Sequence, residues 1–583
     1  MENTQGFTRR NFLKGAGLGA AGLAAVGLAG CSPSQSAGSS ASGTASSGTA
    51  SSTAATSWRT APEPIAEGDI AETAECDVLV IGLSFSGCSA FRAAAESGAK
   101  VIAMEAHPED NHPCMGMGHF GHINSEFLKE RGVDGVDPIE FLNNWQLRAA
   151  NRSNVSLARK FTTTCGEAFD WYIDCLTDEE RDALEIQFYP TDEAYTTFKN
   201  GLGTYIGTAS TMPVQEKILA NLLQVGLDAG AQIYWGCPAR QFLTADDGRV
   251  TGAVGQKEDG SYVQVNAAKG VIICTGGYGA NNEMLADLAP GNSAWCALRD
   301  SVTETGDGIR MALWAGAEFE AGGACMIWNR AILPDGFEFN EDRMGGDIFL
   351  PGSQPFLHVN VNGERFMNED QCYPMSYAAG ANQPKHYSWI VWDGNYWDDI
   401  AQFDTCGCSR LYPAPSGTAF NADVYDCEAM SKEHLDEFWL NPRLEAGTLK
   451  KADTLEALAD MMEFDADQKA TFLATVERYN GLVAAGEDTD FGKPAYRLSD
   501  VGTAPFYAAR IGGELLVTIH GVITDVNSQP LKNDGTPIEG LYVCGNDQGG
   551  FYPHNYPSNF TGINAGRTAT FARIAAKHAL GVE

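Results

Sequence analysis

Basic residues are scarce in this chain: 39 Lys and Arg stand against 75 Asp and Glu, a formal charge of −36 over 583 residues. Binding along nucleic acid needs clustered cations that neutralise phosphates, so that partner is excluded, as is docking of a whole face onto anionic lipid. The acidity reads as a solvated surface that keeps the protein soluble, and says nothing about substrate. No Cys-x-x-Cys or Cys-x-x-Cys-His occurs among the fifteen cysteines, so attached c-type haem is excluded. Cys406-Gly407-Cys408 is the one close pair. The others are scattered through apolar segments such as Ile273-Cys274 and Val543-Cys544 and read as small buried hydrophobes. His119 and His122 have no carboxylate or cysteine partner at diagnostic ligand spacing, Cys114 included, so no metal is expected. The apolar run Gly15–Gly30 is short and glycine-rich, which disfavours a spanning helix.

What is present begins with targeting. Arg9-Arg10-Asn11-Phe12-Leu13-Lys14, the run Gly15–Gly30 and then Cys31 resemble a twin-arginine signal ending in a lipoprotein cleavage box. The resemblance implies export of a folded protein to the outer face of the cytoplasmic membrane, lipid-anchored at Cys31. Residues 32–70 are dominated at first by Ser, Ala, Gly and Thr and read as a flexible linker. Apolar residues make up 44% of the chain, ample for a core in two or three units. The expected units are 71–309, a capping domain over 310–500, and a return to the first unit over 501–583.

Cys76–Ile81 suits a strand buried on both faces, Gly82–Gly87 a tight turn, Ser89–Ser97 a helix and Lys100–Met104 a second strand ending in Glu105. This is a dinucleotide-type unit. Backbone N–H groups at the helix start would face a pyrophosphate, and Glu105 would accept from a ribose. The middle glycine of the turn is replaced by Ser84. A helix is expected over Val214–Ala229, strands at Val250–Val254, Tyr262–Val265 and Ala268–Cys274, and a strand–turn at Gly540–Gly545. No internal repeat is visible.

Several segments in the same order resemble the fumarate reductase and 3-ketosteroid dehydrogenase flavoprotein family: Val78–Glu105, Ile273–Tyr278, Thr305–Ala317, Val359–Glu369, Gly540–Gly545 and Gly562–Ala576. The resemblance implies an α/β fold in which a Rossmann-like FAD-binding domain, built from both chain ends, is interrupted by an α+β capping domain. It implies FAD as cofactor, with Gly82, Ser86 and Gly87 at the pyrophosphate and Glu105 at the ribose. Thr275, Gly276 and Gly277 would line the nucleotide, Asp307 the flavin, Gly545 and Asn546 the ribityl chain. Gly562 and Ile563 would open a helix facing the flavin pyrimidine. The family's dicarboxylate clamp is missing: Leu516-Val517-Thr518-Ile519-His520-Gly521 has no histidine before the threonine, and Asn555–Thr561 has no arginine. The proton-donor arginine has no counterpart in Trp389–Trp397 either. Tyr556-Pro557 instead resembles the Tyr-Pro-Gly stretch of ketosteroid dehydrogenases.

The expectation is therefore an FAD-dependent oxidoreductase acting on CH–CH groups. It would reduce a C=C bond conjugated to a carbonyl or carboxylate, on an enone- or enoate-like molecule rather than a small dicarboxylate. Tyr556, His520 and Tyr396 are the candidate catalytic residues, with His119 in reserve. The alternatives are desaturation of a ketone-bearing ring, and a tethered electron-transfer flavoprotein without an organic substrate. With no haem motif in the chain, electrons are expected from a separate membrane or cytochrome partner.

Overall fold

The computed structural model describes residues 58–111, 119–187, 209–212, 215–339, 346–371, 373–403, 405, 411, 431–552, 556 and 562–582. The signal and most of the linker, Cys114, Cys406–Cys408 and the residues beside Tyr556 lie outside the described residues.

The first buried run is the second half of β1 (Ile70–Ile81); Val78–Ile81 are 0–3% exposed, because both faces of the sheet are covered. Gly82 turns the chain into α1 (Phe85–Glu96), and β2 (Val101–Met104) returns parallel to β1. A small antiparallel sheet of β3 (Phe120–His122), β4 (Glu185–Gln187) and β5 (Ala209–Met212) follows, with helix α2 (Val155–Ile173) between its first two strands in sequence. The chain then adds β6 (Gln232–Tyr234), β7 (Ala239–Thr244), β8 (Val250–Gln256) and β9 (Tyr262–Ile273), in spatial order β6-β2-β1-β9-β8-β7. The segments Tyr262–Val265 and Ala268–Ile273, separate in the sequence reading, are one twelve-residue strand. β9 pairs with β8 through Asn266 and with a late strand from Val271 onward, so it changes neighbour without breaking.

The middle of the chain has more strand than its irregular texture suggests. After β10 (Cys296–Arg299) and α3 (Asp307–Trp314) come β11 (Cys325–Ile332), β12 (Asp347–Ile348), β13 (Leu357–Val359), α4 (Tyr373–Ala381), β14 (Ser388–Trp392) and β15 (Leu449–Ala452). Their spine is the thirteen-residue β16 (Phe506–Thr518). Its first half pairs with β14 and β15, and its second half with β10 and β11. The chain then returns to the first sheet: β17 (Leu541–Val543) pairs parallel with β9, and α5 (Ile563–Leu580) covers the sheet beside α1. Ala569, Ala572, Ala575 and Ala576 share a core with Ala90, Ala93 and Ala94, small side chains that let the two helices approach closely. The fold is mixed α/β, with the first sheet drawn from both ends of the chain.

Candidate active site and cofactor cleft

A cleft runs from the end of β2 to the start of α5. At its first end Gly82 has φ +88°, a left-handed conformation that glycine adopts freely, and a Cβ there would lie 2.4 Å from the Cys274 carbonyl oxygen. Gly87 does not line the cleft; a Cβ on it would lie 1.9 Å from the Gly82 carbonyl oxygen, so its part is to let α1 start against the turn. The Ser84 side chain makes no capping bond, which leaves the first N–H groups of α1 available to an anion. Glu105, 5% exposed, accepts from the Leu83 N–H at 2.7 Å and the His107 N–H at 2.9 Å. These bonds fix the carboxylate in the cleft wall, where it is placed to accept from ribose hydroxyls.

The middle of the cleft is built on a carboxyl that the sequence reading missed. Asp547 is fully buried; it accepts from the Thr275 hydroxyl at 2.8 Å and the Gly276 N–H at 2.9 Å. Burial pushes its carboxyl well above the usual range, against the pull of those two donors. The Thr275 hydroxyl accepts in turn from the Gly308 N–H at 3.0 Å, which docks the start of α3 beside the cleft. Asp307 lines the cleft there, close to Ala239 and Met311 rather than to the aromatic end. Gly277 does not line it: a Cβ would lie 2.0 Å from Thr518 Oγ1, so this glycine serves packing. Ser301 Oγ and Glu304 Oε2 border the cleft, are shielded from water, and have no hydrogen-bond partner among the described residues. Burial raises the Glu304 carboxyl as well. Orphaned polar atoms of this kind mark a wall that awaits a polar ligand.

At the far end Gly562, φ +80°, precedes α5 without a side-chain cap, and a Cβ on it would lie 2.5 Å from the His119 carbonyl carbon. Ile563 is wholly buried in the core and does not line the cleft. The Asn564 N–H donates to the Tyr556 hydroxyl at 3.3 Å, and the Tyr556 ring lies beside that of Tyr552, centroids 5.2 Å apart. Tyr552 donates to Asn564 Oδ1 at 3.2 Å, and Asn564 Nδ2 to Asn546 Oδ1 at 3.0 Å. The buried Arg567 closes this network by donating to the Gly545 carbonyl at 2.8 Å and to Asn564 Oδ1 at 3.0 Å. The facing wall is apolar: Met326, Trp328, Tyr373, Leu516 and Val517, with Trp328 and Tyr373 edge to face at 5.5 Å. No Lys or Arg lines the cleft among the described residues.

His119 borders this end. His520 does not: it is 1% exposed, its ring nitrogen lies 2.8 Å from the Tyr278 hydroxyl, and Phe319 packs edge-on at 4.9 Å. Tyr396 is farther removed. It belongs to the core beneath β14, accepts from Lys432 Nζ at 2.5 Å and donates to Asp436, so its hydroxyl is committed to a local ion pair. His122 is buried against Phe169, ring centroids 3.7 Å apart, with neither nitrogen bonded among the described residues. Neither the missed carboxyls nor the wall residues Met326 and Trp328 carry a glycine signature. The alternation Met326, Trp328, Arg330 was the signal available for the wall.

In order, the cleft offers a ribose-accepting carboxylate, an uncapped helix N-terminus, unpartnered oxygens, a polar Asn546–Asn564 pair and a second uncapped helix. That order fits FAD from adenosine to ring. The chain is 26% identical to the vinyl phenol reductase of Lactiplantibacillus plantarum over 86% of this chain and 96% of that protein. It is 30% identical to a 3-oxosteroid 1-dehydrogenase of Mycolicibacterium smegmatis over 61% of this chain and 60% of that one. The open conformation of a flavocytochrome c3 fumarate reductase superposes with a TM-score of 0.60 at 23% identity, covering 88% of this chain and 79% of that chain; this likeness shows the fold. The FAD binding domain family model matches residues 77–559, and the chain belongs to that family: it is an FAD-dependent oxidoreductase.

Proposed function

We propose that this chain reduces a C=C bond conjugated to a carbonyl or an aryl ring on an apolar small molecule, outside the cytoplasm. The observation that carries the reading is the apolar wall of Met326, Trp328, Tyr373, Leu516, Val517 and Tyr556, with no Lys or Arg lining the cleft among the described residues. A dicarboxylate against such a wall would be desolvated, with no guanidinium fork among the described residues to receive it. An aryl or enone body buries apolar area there instead. The relative named for vinyl phenol reduction supports the same substrate class.

Bound FAD supplies the hydride chemistry. Gly82, Ser86 and the α1 start would receive its diphosphate, and Glu105 its ribose. Thr275, Gly276, Gly545 and Asn546 would receive the middle of the cofactor, and the start of α5 its ring. The positive end of α5 favours negative charge at that place. The Tyr556 hydroxyl, which accepts from the Asn564 N–H, would donate its own proton to a substrate carbonyl or phenol oxygen and stabilise the charge that develops there. The reverse reaction, ring desaturation, is a second reading favoured by the Tyr556-Pro557 stretch and the oxosteroid-dehydrogenase relative. The twin-arginine and Cys31 features support export, with a separate membrane or cytochrome donor of electrons.

The test is anaerobic stopped flow. Flavin reduced by a viologen dye is mixed with 4-vinylphenol, 4-androstene-3,17-dione, acrylate or fumarate. Reoxidation by the apolar compounds and none by fumarate is expected. Fastest reoxidation by fumarate would end this reading, and silence toward all four would favour electron transfer alone.

A further inference from the structure

Two bulges shape the apolar wall, and one of them delivers a buried ion pair to it. Across β11 and β16, Met326 pairs with Val517 and Ile327 with Leu515, so Leu516 is an extra residue in its strand. Asn329 pairs with Gly513 and Ala331 with Gly512, so Arg330 is an extra residue in the other. A bulge bends its strand and re-aims a side chain. Leu516 lines the cleft. Arg330, 1% exposed, reaches Glu514, which is wholly buried and stands opposite Trp328 in the ladder. The guanidinium donates to that carboxylate through Nε at 2.6 Å and Nη2 at 2.9 Å. Its carbon lies 3.1 Å from the Trp328 ring centroid, so the fork that holds Glu514 also covers one face of the indole. Tyr373, at the start of α4, meets the same ring edge to face at 5.5 Å. A Cβ at Gly513 would lie 2.4 Å from the Tyr377 ring, so this glycine lets α4 close on the wall. Trp328, a cleft residue, is thus held by a cation on one face and by a tyrosine beside it.

A buried ion pair is often no more stabilising than apolar side chains of the same volume. What this pair contributes is an indole whose plane is fixed before a ligand arrives, so that binding need not immobilise it. A fixed flat ring gains from a second flat ring, stacked or edge-on, beyond the apolar area the two bury; a puckered saturated ring supplies the area alone. We propose that Trp328 selects a flat aryl body over a saturated one, with Arg330 and Glu514 as the positioning pair that holds its plane. This rests on the reduction reading above and narrows its substrate class to C=C bonds conjugated to an aromatic ring. The largely saturated ring system of a steroid matches this wall less well.

The experiment titrates oxidised holoenzyme with 4-ethylphenol and with 4-ethylcyclohexanol and follows the flavin absorbance. The two compounds share a carbon skeleton and a hydroxyl, and neither carries the reducible C=C bond. Wild type should bind the phenol about fivefold or more tightly. Trp328→Leu should keep its FAD and its affinity for the cyclohexanol, and bring the two dissociation constants to within about twofold. Any preference due to the hydroxyl persists in the variant, so the change in the ratio isolates the ring. Arg330→Met combined with Glu514→Leu removes both charges and strands neither. It should shrink the preference while the cyclohexanol still binds, whereas a merely structural role would weaken both ligands alike. If Trp328→Leu does not fold, Trp328→Met, an unbranched apolar filler, takes its place with the same expected outcome. A variant at Trp328 that keeps the wild-type preference overturns the proposal. A wild type that binds both compounds equally does so too, and leaves the reduction reading standing. A wild type whose flavin responds to neither compound removes that reading together with the Trp328 role.

Discussion

Tyr556 receives one proton donor and offers another, which is why removing its hydroxyl is an informative change. Tyr556→Phe keeps the ring beside Tyr552, 5.2 Å away, so FAD content and stability should hold. Loss of one donor to a developing oxyanion typically costs about 2–4 kcal/mol, about a hundredfold or more in turnover. Steady-state rates with a reoxidising alkene check this; unchanged rates would make Tyr556 a packing residue. His122 gives a second expectation, in the pH dependence of stability. Burial pushes its imidazole down to about 3 from an ordinary 6.5. Between those values the unfolded chain binds the proton and the folded chain does not, so stability is full above pH 6.5 and is lost as pH falls through the window. The loss is up to about 1.4 kcal/mol per pH unit. His122→Phe keeps the stack on Phe169 and removes the slope, so its melting temperature should gain on wild type as the buffer is acidified. Parallel curves for the two proteins would show that His122 is solvated. At this scale the sequence was readable where backbone geometry demanded glycine, at Gly82 and Gly562. It was not readable where burial decides: Asp547 looks like any loop aspartate until Thr275 and Gly276 close on it, and His520 looks like a donor until Tyr278 takes its ring.

Helix starts and strand registers carry the next set of consequences. Gly87→Val puts a branched side chain where a Cβ alone would sit 1.9 Å from the Gly82 carbonyl oxygen. The helix must shift off the turn, and the purified variant should lose its flavin absorbance and melt lower. Full flavin occupancy would mean that the turn can yield and that α1 does not hold the diphosphate. Unbroken apolar runs made β1, β2 and the end of β9 legible, because a parallel strand buried on both faces leaves no polar interruption. β11 and β16 were harder. Arg330 and Glu514 interrupt their apolar runs, and only the pairing of the two strands shows that each charge satisfies the other. Tyr396 went astray for a related reason: its partners Asp436 and Lys432 come from a helix forty residues away, outside any local pattern.

For the whole molecule, the family resemblance read from spaced motifs gave the right cofactor and the right fold class, because motif glycines such as Gly82, Gly87 and Gly562 stand where one backbone must approach another. Substrate identity stayed coarse, since the wall that would select it is made of ordinary core residues. If Arg9 and Arg10 form the export signal, changing both to Lys should leave the protein in the cytoplasm while it still binds FAD. Fractionation with normal export would refute that assignment.

The cleft proposed to receive the cofactor is lined by residues from Ile81 to Thr568, from the end of β1 to the start of α5. A ribosome makes these parts in order, so the nascent chain carries the first half of the site, with its apolar strands, long before α5 exists to complete it. If this cleft receives FAD, its capture waits for α5, and a chain stopped before Gly562 should purify without flavin. If the twin-arginine features do direct export of folded cargo, the docking of α5 against α1 must then come before export.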